Sequence, residues 1–400
     1  MSESTDVVIV GGGYAGVMAA NRLTQRDDVT VTVINSRPVF VPRLRLHQLA
    51  GETHDAVVDY ENVLAKGVHL VVDDATEIDA ARRTVRLAEC GDIRYDYLIY
   101  AAGSGGPGPR VPGAAEFAYP VATLEAARRL RSVLRDTPSP APVTVVGAGP
   151  TGIETAAELA EQGRAVTLIC GSTVGPYLHP RARRTARKYL TKLGVDVIEG
   201  SESTVVAVTP DAVKLGDGRT VASRVTVWTS GFGISELAGR SGLRTDSAGR
   251  LLTDETLTSI DDERIVAAGD ASAPSDLPFR MGAYTAGCLG AHAADTVLSR
   301  IAGNEPAPID LTFPVMCVSF GRRSGIFQFA RKNNVAMPVF LSGFAGRKLK
   351  EFSCESSVEH LVNEARKPGS HHWPGDGKHR PALLGAAAAR EEEGLHGHAG

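Results

Sequence analysis

The run Asp6-Val7-Val8-Ile9-Val10-Gly11-Gly12-Gly13-Tyr14-Ala15-Gly16 sets the fold, because its pattern returns at Val143-Thr144-Val145-Val146-Gly147-Ala148-Gly149-Pro150-Thr151-Gly152. Both copies lead from a short, largely β-branched strand into Gly-x-Gly-x-x-Gly. A lone motif of this kind is weak evidence, since glycine-rich turns are common, but two in matched strand-turn-helix contexts are not accidental. The physical demand is close approach. A pyrophosphate lies against backbone N–H groups at a helix start, and only glycine lets the turn come that near. Two such turns imply two dinucleotides in one chain.

Outward from the first turn, the pattern predicts a helix over about 15–25 and a second buried strand over 29–34, a βαβ start. Residues 95–100 form another apolar run, which enters Ala101-Ala102-Gly103-Ser104 and a breaker-rich stretch over 105–113. A helix-like segment follows at 124–134. The second unit repeats the order, with a helix from about 153 to 162, a strand over 165–169, and Val225-Thr226-Val227-Trp228 running into Gly231-Phe232-Gly233. Arg264-Ile265-Val266-Ala267-Ala268-Gly269-Asp270 reads as a strand closed by an acid, placed to accept hydrogen bonds from ribose or ribityl hydroxyls. A helix over 283–301 and a hairpin of 315–320 with 325–329 come next. Past about Arg366 the chain turns to His, Pro, Gly, Ala and Glu without periodicity, which predicts a disordered tail over 366–400.

The 400 residues, 43% of them hydrophobic, suffice for two or three domains. A net charge of -3 gives no reason to expect nucleic acid as a partner. The basic run Arg181, Arg183, Arg184, Arg187, Lys188 and Lys192 has the spacing of one solvated helix face. A strand begins about five residues in, with no leader pattern and no apolar run near the ~20 residues of a membrane span, so a cytoplasmic protein is expected. Cys90, Cys170, Cys288, Cys317 and Cys354 form no close pair, which disfavours local metal knuckles and disulfide scaffolds. No metal site is expected.

Four elements in order, Gly11-x-Gly13-x-x-Gly16, Ala101-Ala102-Gly103-Ser104, Gly147-x-Gly149-x-x-Gly152-x-Glu154 and Gly269-Asp270, resemble the two-dinucleotide flavoproteins of the pyridine nucleotide-disulfide oxidoreductase superfamily. Within it the chain is similar to the non-disulfide branch that includes type II NADH dehydrogenases, over residues 5 to 360. The resemblance implies an α/β fold with two Rossmann-like dinucleotide-binding domains plus a small C-terminal α+β segment. It places FAD on 1–115 with 251–312, NAD(P)H on 116–250, and a C-terminal interface segment at 313–365. Gly11, Gly13, Tyr14, Ala15, Gly16, Asn35, Ser36, Arg43, Ala102, Gly103, Gly269, Asp270 and Ala283 would border FAD. Gly147, Gly149, Pro150, Thr151, Gly152, Glu154 and Gly233 would serve NADH or NADPH. Glu154 is implied to face the nicotinamide; as a first-turn acid it can equally be there for the helix dipole. Arg43, Arg45 and His47 lie on the family segment that runs toward the flavin, where acceptor-site and plain core or surface roles both fit.

The activity implied is hydride transfer from NAD(P)H to FAD, then electron transfer to a quinone or quinone-like small molecule. Alternatives are a flavin-dependent tailoring oxidoreductase acting on a specific metabolite, and a FAD/NADH-binding redox sensor with slow turnover. The departures bear on this choice. Asn35 stands where an acid is usual, so Asn35→Asp is expected to tighten FAD binding; Cys170 at the matching place leaves NADH against NADPH open. The family's A-Q-x-A-x-Q quinone pattern reads Ala283-Tyr284-Thr285-Ala286-Gly287-Cys288 here, so Tyr284 and Cys288 share one helix face, lining an altered acceptor pocket or packing in the core. After the hairpin, residues 345–365 are broken by polar groups on several faces, and Arg347, Lys348, Leu349, Lys350 and Phe352 are candidates for weak contact with the inner face of a membrane. A homodimer is a further partner implied.

Overall fold

The computed structural model describes residues 4–105, 110–375 and 377–386. Two five-stranded parallel sheets organise it. In the first, Ile265–Ala267, Tyr97–Tyr100, Thr5–Val10, Val29–Asn35 and His69–Val72 lie side by side in that order. In the second the order is Ala118–Pro120, Val225–Trp228, Val143–Val146, Val166–Ile169 and Asp196–Ile198. The central strand of each is the one that enters a glycine turn, and all four of its residues nearest the turn are buried. Each parallel sheet is covered on both faces, by helices on one and by a small antiparallel sheet on the other, which is why these strands read as continuous apolar runs rather than alternating ones.

The first sheet takes four strands from before residue 101 and its last from 265–267, with the whole second sheet in between. The Tyr14–Leu23 and Ala283–Ile301 helices pack together on it so closely that a Cβ on Gly290 would strike the Ala15 carbonyl. Each unit also carries a small antiparallel sheet with no counterpart in the sequence reading: Ala75–Asp79, Thr84–Leu87 and Asp92–Arg94 in one, Val205–Val208, Ala212–Leu215 and Thr220–Ala222 in the other. The basic run lies on the Pro180–Lys192 helix, which buries Ala182, Ala186 and Leu190 and turns Arg181, Arg184, Arg187, Lys188 and Lys192 outward.

The C-terminal segment is larger than the hairpin expected. Val315–Phe320 and Ser324–Ala330 are joined by a third strand, Ala336–Ser342, and then by one continuous helix, Gly343–Arg366. Its polar residues look scattered because the helix is gripped on two sides. Gly346 packs against the sheet, while the Leu361 carbonyl takes a bond from Asn21 and Ser357 meets Tyr14, both of the first unit.

The tail corrects a second expectation. Residues 367–375 and 377–386 fold back over the first unit, held by single anchors rather than a periodic face. Trp373 packs edge-on to His292 and donates to the Asp310 carbonyl. Arg380, only 6% exposed, binds both carboxylate oxygens of Glu255 and the carbonyls of Pro274 and Leu277. The remaining tail residues, 387–400, and 106–109 of the breaker-rich stretch lie outside the described residues.

Candidate functional site

The two glycine turns have the same geometry. Gly11 and Gly147 hold φ of +107° and +108°, in the region only glycine tolerates. A Cβ on Gly11 would strike the Ala101 carbonyl, and one on Gly16 or Gly152 would strike the carbonyl of Gly11 or Gly147. The middle glycines differ: a Cβ on Gly13 or Gly149 meets nothing within 4 Å. The outer glycines let the backbone close, and the middle ones keep a cradle open. Behind each cradle a helix begins, Tyr14–Leu23 and Pro150–Glu161, with no side-chain cap and no acid in its first turn, so its N–H groups remain available to an anion. The Ala283–Ile301 helix starts in the same bare way behind Gly282.

At the end of the first sheet, three residues distant in sequence converge. Ser104 Oγ donates to Asp270 Oδ2 at 2.6 Å, Arg43 Nη1 donates to Ser104 Oγ at 2.7 Å, and Arg43 lies 3.7 Å from Asp270 Oδ2. Asp270 Oδ1 is buried with no partner. An orphaned carboxylate oxygen beside an open cradle is what a hydroxyl-bearing ligand would satisfy. Gly269 reaches this corner at φ +73°, and Gly103 turns the adjacent strand end at +67°. Ser104 and Gly105 in turn pair with Ile234 and Gly233, so the strand ends of the two units touch.

Asn35 is engaged locally. Its Oδ1 accepts the Gly12 N–H at 3.0 Å and its Nδ2 donates to the Arg37 carbonyl at 2.9 Å. An aspartate would keep the first bond and set a carboxylate against the carbonyl in the second, which argues against the expectation that Asn35→Asp improves the site. Ser36 is exposed next to it, and Arg37 grips Glu125 of the other unit through two bonds of 2.6 and 2.7 Å, holding that carboxyl down at about 2.

Glu154 sits at the centre of a buried polar cluster. The helix begins at Pro150, so Glu154 is its fifth residue rather than a first-turn acid, and the dipole reading of it falls. Its Oε1 accepts the Ser319 N–H at 2.9 Å and pairs with Lys350 Nζ at 3.0 Å; its Oε2 lies 3.8 Å from His47 Nδ1. All three side chains are nearly inaccessible, Glu154 4%, Lys350 6% and His47 3% exposed. Burial opposes both charges, yet each holds the other: Glu154 stays below the usual carboxylate range and Lys350 well above its ordinary value. Burial pushes His47 down to about 4, so it is neutral, with Nε2 unpartnered. Lys350 is thus no membrane contact. It belongs to the inward stripe Gly346, Lys350, Cys354, each one turn from the next.

Sequence reasoning missed Ser104, Ser319 and Tyr177, whose buried hydroxyl also lacks a partner and faces Glu154 and Lys350. Arg45 binds Gln48 at 3.0 Å and Glu351 at 2.6 Å on the rim of the cluster. Tyr284 and Cys288 lie one turn apart on the same face of the Ala283–Ile301 helix. They diverge in environment, however. Cys288 is fully buried and its thiol is pushed up to about 12, chiefly by that burial, whereas Tyr284 is 38% exposed, edge-on to Phe313. Neither forms a bond to Glu154.

Two open cradles, an orphaned acid at one and a buried acid-lysine pair beside the other define a protein built to hold two dinucleotides. The family model for pyridine nucleotide-disulphide oxidoreductases matches residues 5–287. The chain belongs to that family of oxidoreductases, although its five cysteines are all free. An NADH dehydrogenase-like protein of Mycobacterium tuberculosis is 33% identical over 296 residues, covering 67% of this chain and 73% of the relative. The type II NADH:quinone oxidoreductase Ndh of the same organism is 27% identical over 381 residues, covering 84% and 81%. Among solved structures, sulfide:quinone oxidoreductase from Aquifex aeolicus superposes with a TM-score of 0.77 at 20% identity, over 92% of this chain and 93% of that one. NDH2 from Plasmodium falciparum, solved with NADH, gives 0.75 at 16%, over 93% and 99%. These two establish the fold. Among the described residues no helix is long and apolar enough to cross a membrane, and no cluster of His, Cys, Asp and Glu could hold a metal ion.

Proposed function

We propose that the chain oxidises NADH through FAD and delivers the electrons to a quinone or quinone-like small molecule. FAD, when bound, takes up hydride from the nicotinamide and passes electrons on to the acceptor. The first cradle, with Arg43 and the free oxygen of Asp270, suits the flavin nucleotide; the second suits the nicotinamide one. The bare N-terminus of the Ala283–Ile301 helix would offer N–H groups to the negative charge of a reduced flavin bound beside it.

The observation that carries the reading is the Glu154–Lys350 pair, placed where the second cradle's helix meets the C-terminal sheet. Reducing a quinone takes two electrons and two protons, and hydride supplies only one proton. Lys350 Nζ is a buried ammonium whose proton can serve as the second one, to be replaced afterwards from solvent, and the Glu154 carboxylate is the counter-ion that keeps Lys350 charged until then. Neutral His47, 3.8 Å from Glu154 with Nε2 free, extends the same polar seam.

NADH is favoured over NADPH by the loop after Cys170. Glu199, on the adjoining strand end, binds the Val174 N–H at 2.7 Å and Thr173 Oγ1 at 3.1 Å, and Arg187 is already paired with it. Arg187 is therefore committed, and a 2′-phosphate entering here would meet the Glu199 carboxylate. Weak membrane contact falls to Phe344 and Phe352, 66% and 62% exposed, with Arg347 and Lys348 over the Phe344 ring. Anaerobic mixing with NADH tests the reading. The flavin absorbance should bleach within seconds and return when quinone is added; reoxidation no faster than by oxygen alone would sink the quinone acceptor and favour a metabolite docking beside half-exposed Tyr284.

A further inference from the structure

The geometry points to a further ligand site, lined by no residue of either cradle, that takes a small phosphorylated metabolite through its oxyanion. It is a cavity of about 490 Å³ where the end of the Gly343–Arg366 helix meets the folded-back tail. That volume lies within the roughly 300–1,000 Å³ of small-molecule sites and exceeds what a bare phosphate needs.

The lining side chains all carry hydrogen-bond donors, that of Ser370 being already taken by Glu364 and the Asn363 carbonyl, and none is acidic. Arg366 and Lys367 supply the basic side chains, and among the described residues neither has an ion-pair partner. His360 and His371 face each other with ring centroids 5.1 Å apart, and His372 completes the wall with Asn363 and Ser370. Of the two acids that adjoin lining residues in sequence, Glu359 is exposed and outside the lining, and Glu364 is fully buried and already taken: it accepts from Arg22, from the backbone N–H of Gly369 and His371, and from Ser370 Oγ. The cavity is therefore positive, with its own carboxylate turned inward.

Basic residues at a helix C-terminus are commonplace because they offset the dipole, and that explains Arg366 and Lys367 alone. It does not explain three imidazoles around an open cavity. The terminal carbonyl of Asn363 is also already covered, by Lys367 N–H and Ser370 Oγ. Arginine, lysine and imidazole converging with no acid among the described lining residues is the donor set for phosphate oxygens. The site also touches the core of the molecule, since His371 Nε2 lies 3.9 Å from Cys288 Sγ on the Ala283–Ile301 helix.

The test is calorimetric titration of the full-length, FAD-loaded protein at physiological ionic strength with saturating NAD+, using inorganic phosphate, pyrophosphate and ribose 5-phosphate as probes. One-site binding of ribose 5-phosphate or pyrophosphate is expected, with inorganic phosphate weaker. The pair Arg366→Glu with Lys367→Glu should weaken it at least tenfold. The pair Arg184→Glu with Lys188→Glu, the same charge change on the exposed Pro180–Lys192 helix, should leave it unchanged. Retained flavin absorbance shows that each variant is folded; should the first pair lose it, Lys367→Gln with His372→Gln is read instead, with a several-fold loss expected. No saturable heat at millimolar probe, undiminished binding in the cavity variants, or equal loss in the control pair each overturns the proposal. None of these outcomes depends on what accepts the electrons.

Discussion

The helices that follow the two glycine turns begin alike and part at their fifth residue, Met18 in the first and Glu154 in the second. Both are buried, at 1% and 4% exposure, but Met18 sits with Tyr14, Phe40 and Tyr60 in an apolar cluster, whereas Glu154 faces Lys350, His47 and Ser319. One turn later the contrast repeats. Arg22 ties the first helix to Asp295 and Glu364, while Glu158 of the second accepts from Thr53 and leaves its other oxygen unpartnered. The glycines fix a cradle, and both units have it. What each unit does with a nucleotide is decided at positions that the motif leaves free.

The largest effect that could break this contrast comes from Lys350→Met, which leaves a buried carboxylate without its cation. Removing one member of such a pair typically costs ~3–5 kcal/mol, and replacing both, with Glu154→Gln added, should recover most of it. Urea denaturation reads the difference; a single-variant loss under ~1 kcal/mol would mean that the pair is solvated after all. Next in size is the nucleotide itself. Gly13→Val and Gly149→Val both fit allowed backbone conformations and open space, so melting should hardly change, yet each side chain fills a cradle. Gly13→Val should lose FAD, and Gly149→Val should keep FAD while its KM for NADH rises at least tenfold. Equal effects on both cofactors would erase the distinction between the units.

A pH titration sharpens the buried cluster. His47 is held near 4 in the folded chain against an ordinary 6.5, so the unfolded chain binds the extra proton. Stability is then complete above about 6.5 and falls as pH drops toward 4, by about 3 kcal/mol at the limit. His47→Gln should remove that slope, and an unchanged slope would place the titrating group elsewhere. The smallest effect belongs to Asn35→Asp, which should weaken FAD binding by about 1 kcal/mol through loss of the bond to the Arg37 carbonyl. Tighter binding in a flavin titration would mean that this bond contributes nothing.

The inner strands of both parallel sheets were legible from sequence because their signals are local, a β-branched run, a glycine turn, a helix start, whereas the short edge strands His69–Val72, Ala118–Pro120 and Asp196–Ile198 were missed. The Arg43–Ser104–Asp270 corner was legible in part, since Asp270 ends a strand beside a glycine, but Ser104 acquires its role only when that strand lies against its neighbour. Lys350 was misread for a physical reason. Its partner lies 196 positions earlier (350 − 154), and a lone lysine on a polar-looking helix carries no local mark of being buried. The tail was misread for the converse reason. It has no periodic apolar face, and single anchors such as Trp373 and Arg380 hold it, which composition does not show.

The central claim is that two cradles of one design do unequal work, one holding the flavin and the other delivering hydride to it. Anaerobic stopped-flow mixing of NADH with the wild type and with Gly149→Val tests this most directly. The account predicts equally yellow proteins, of which the wild type bleaches within seconds and the variant bleaches at least tenfold more slowly at the same subsaturating NADH. Bleaching at the same rate in both would contradict it, because hydride would then reach the flavin without the second cradle.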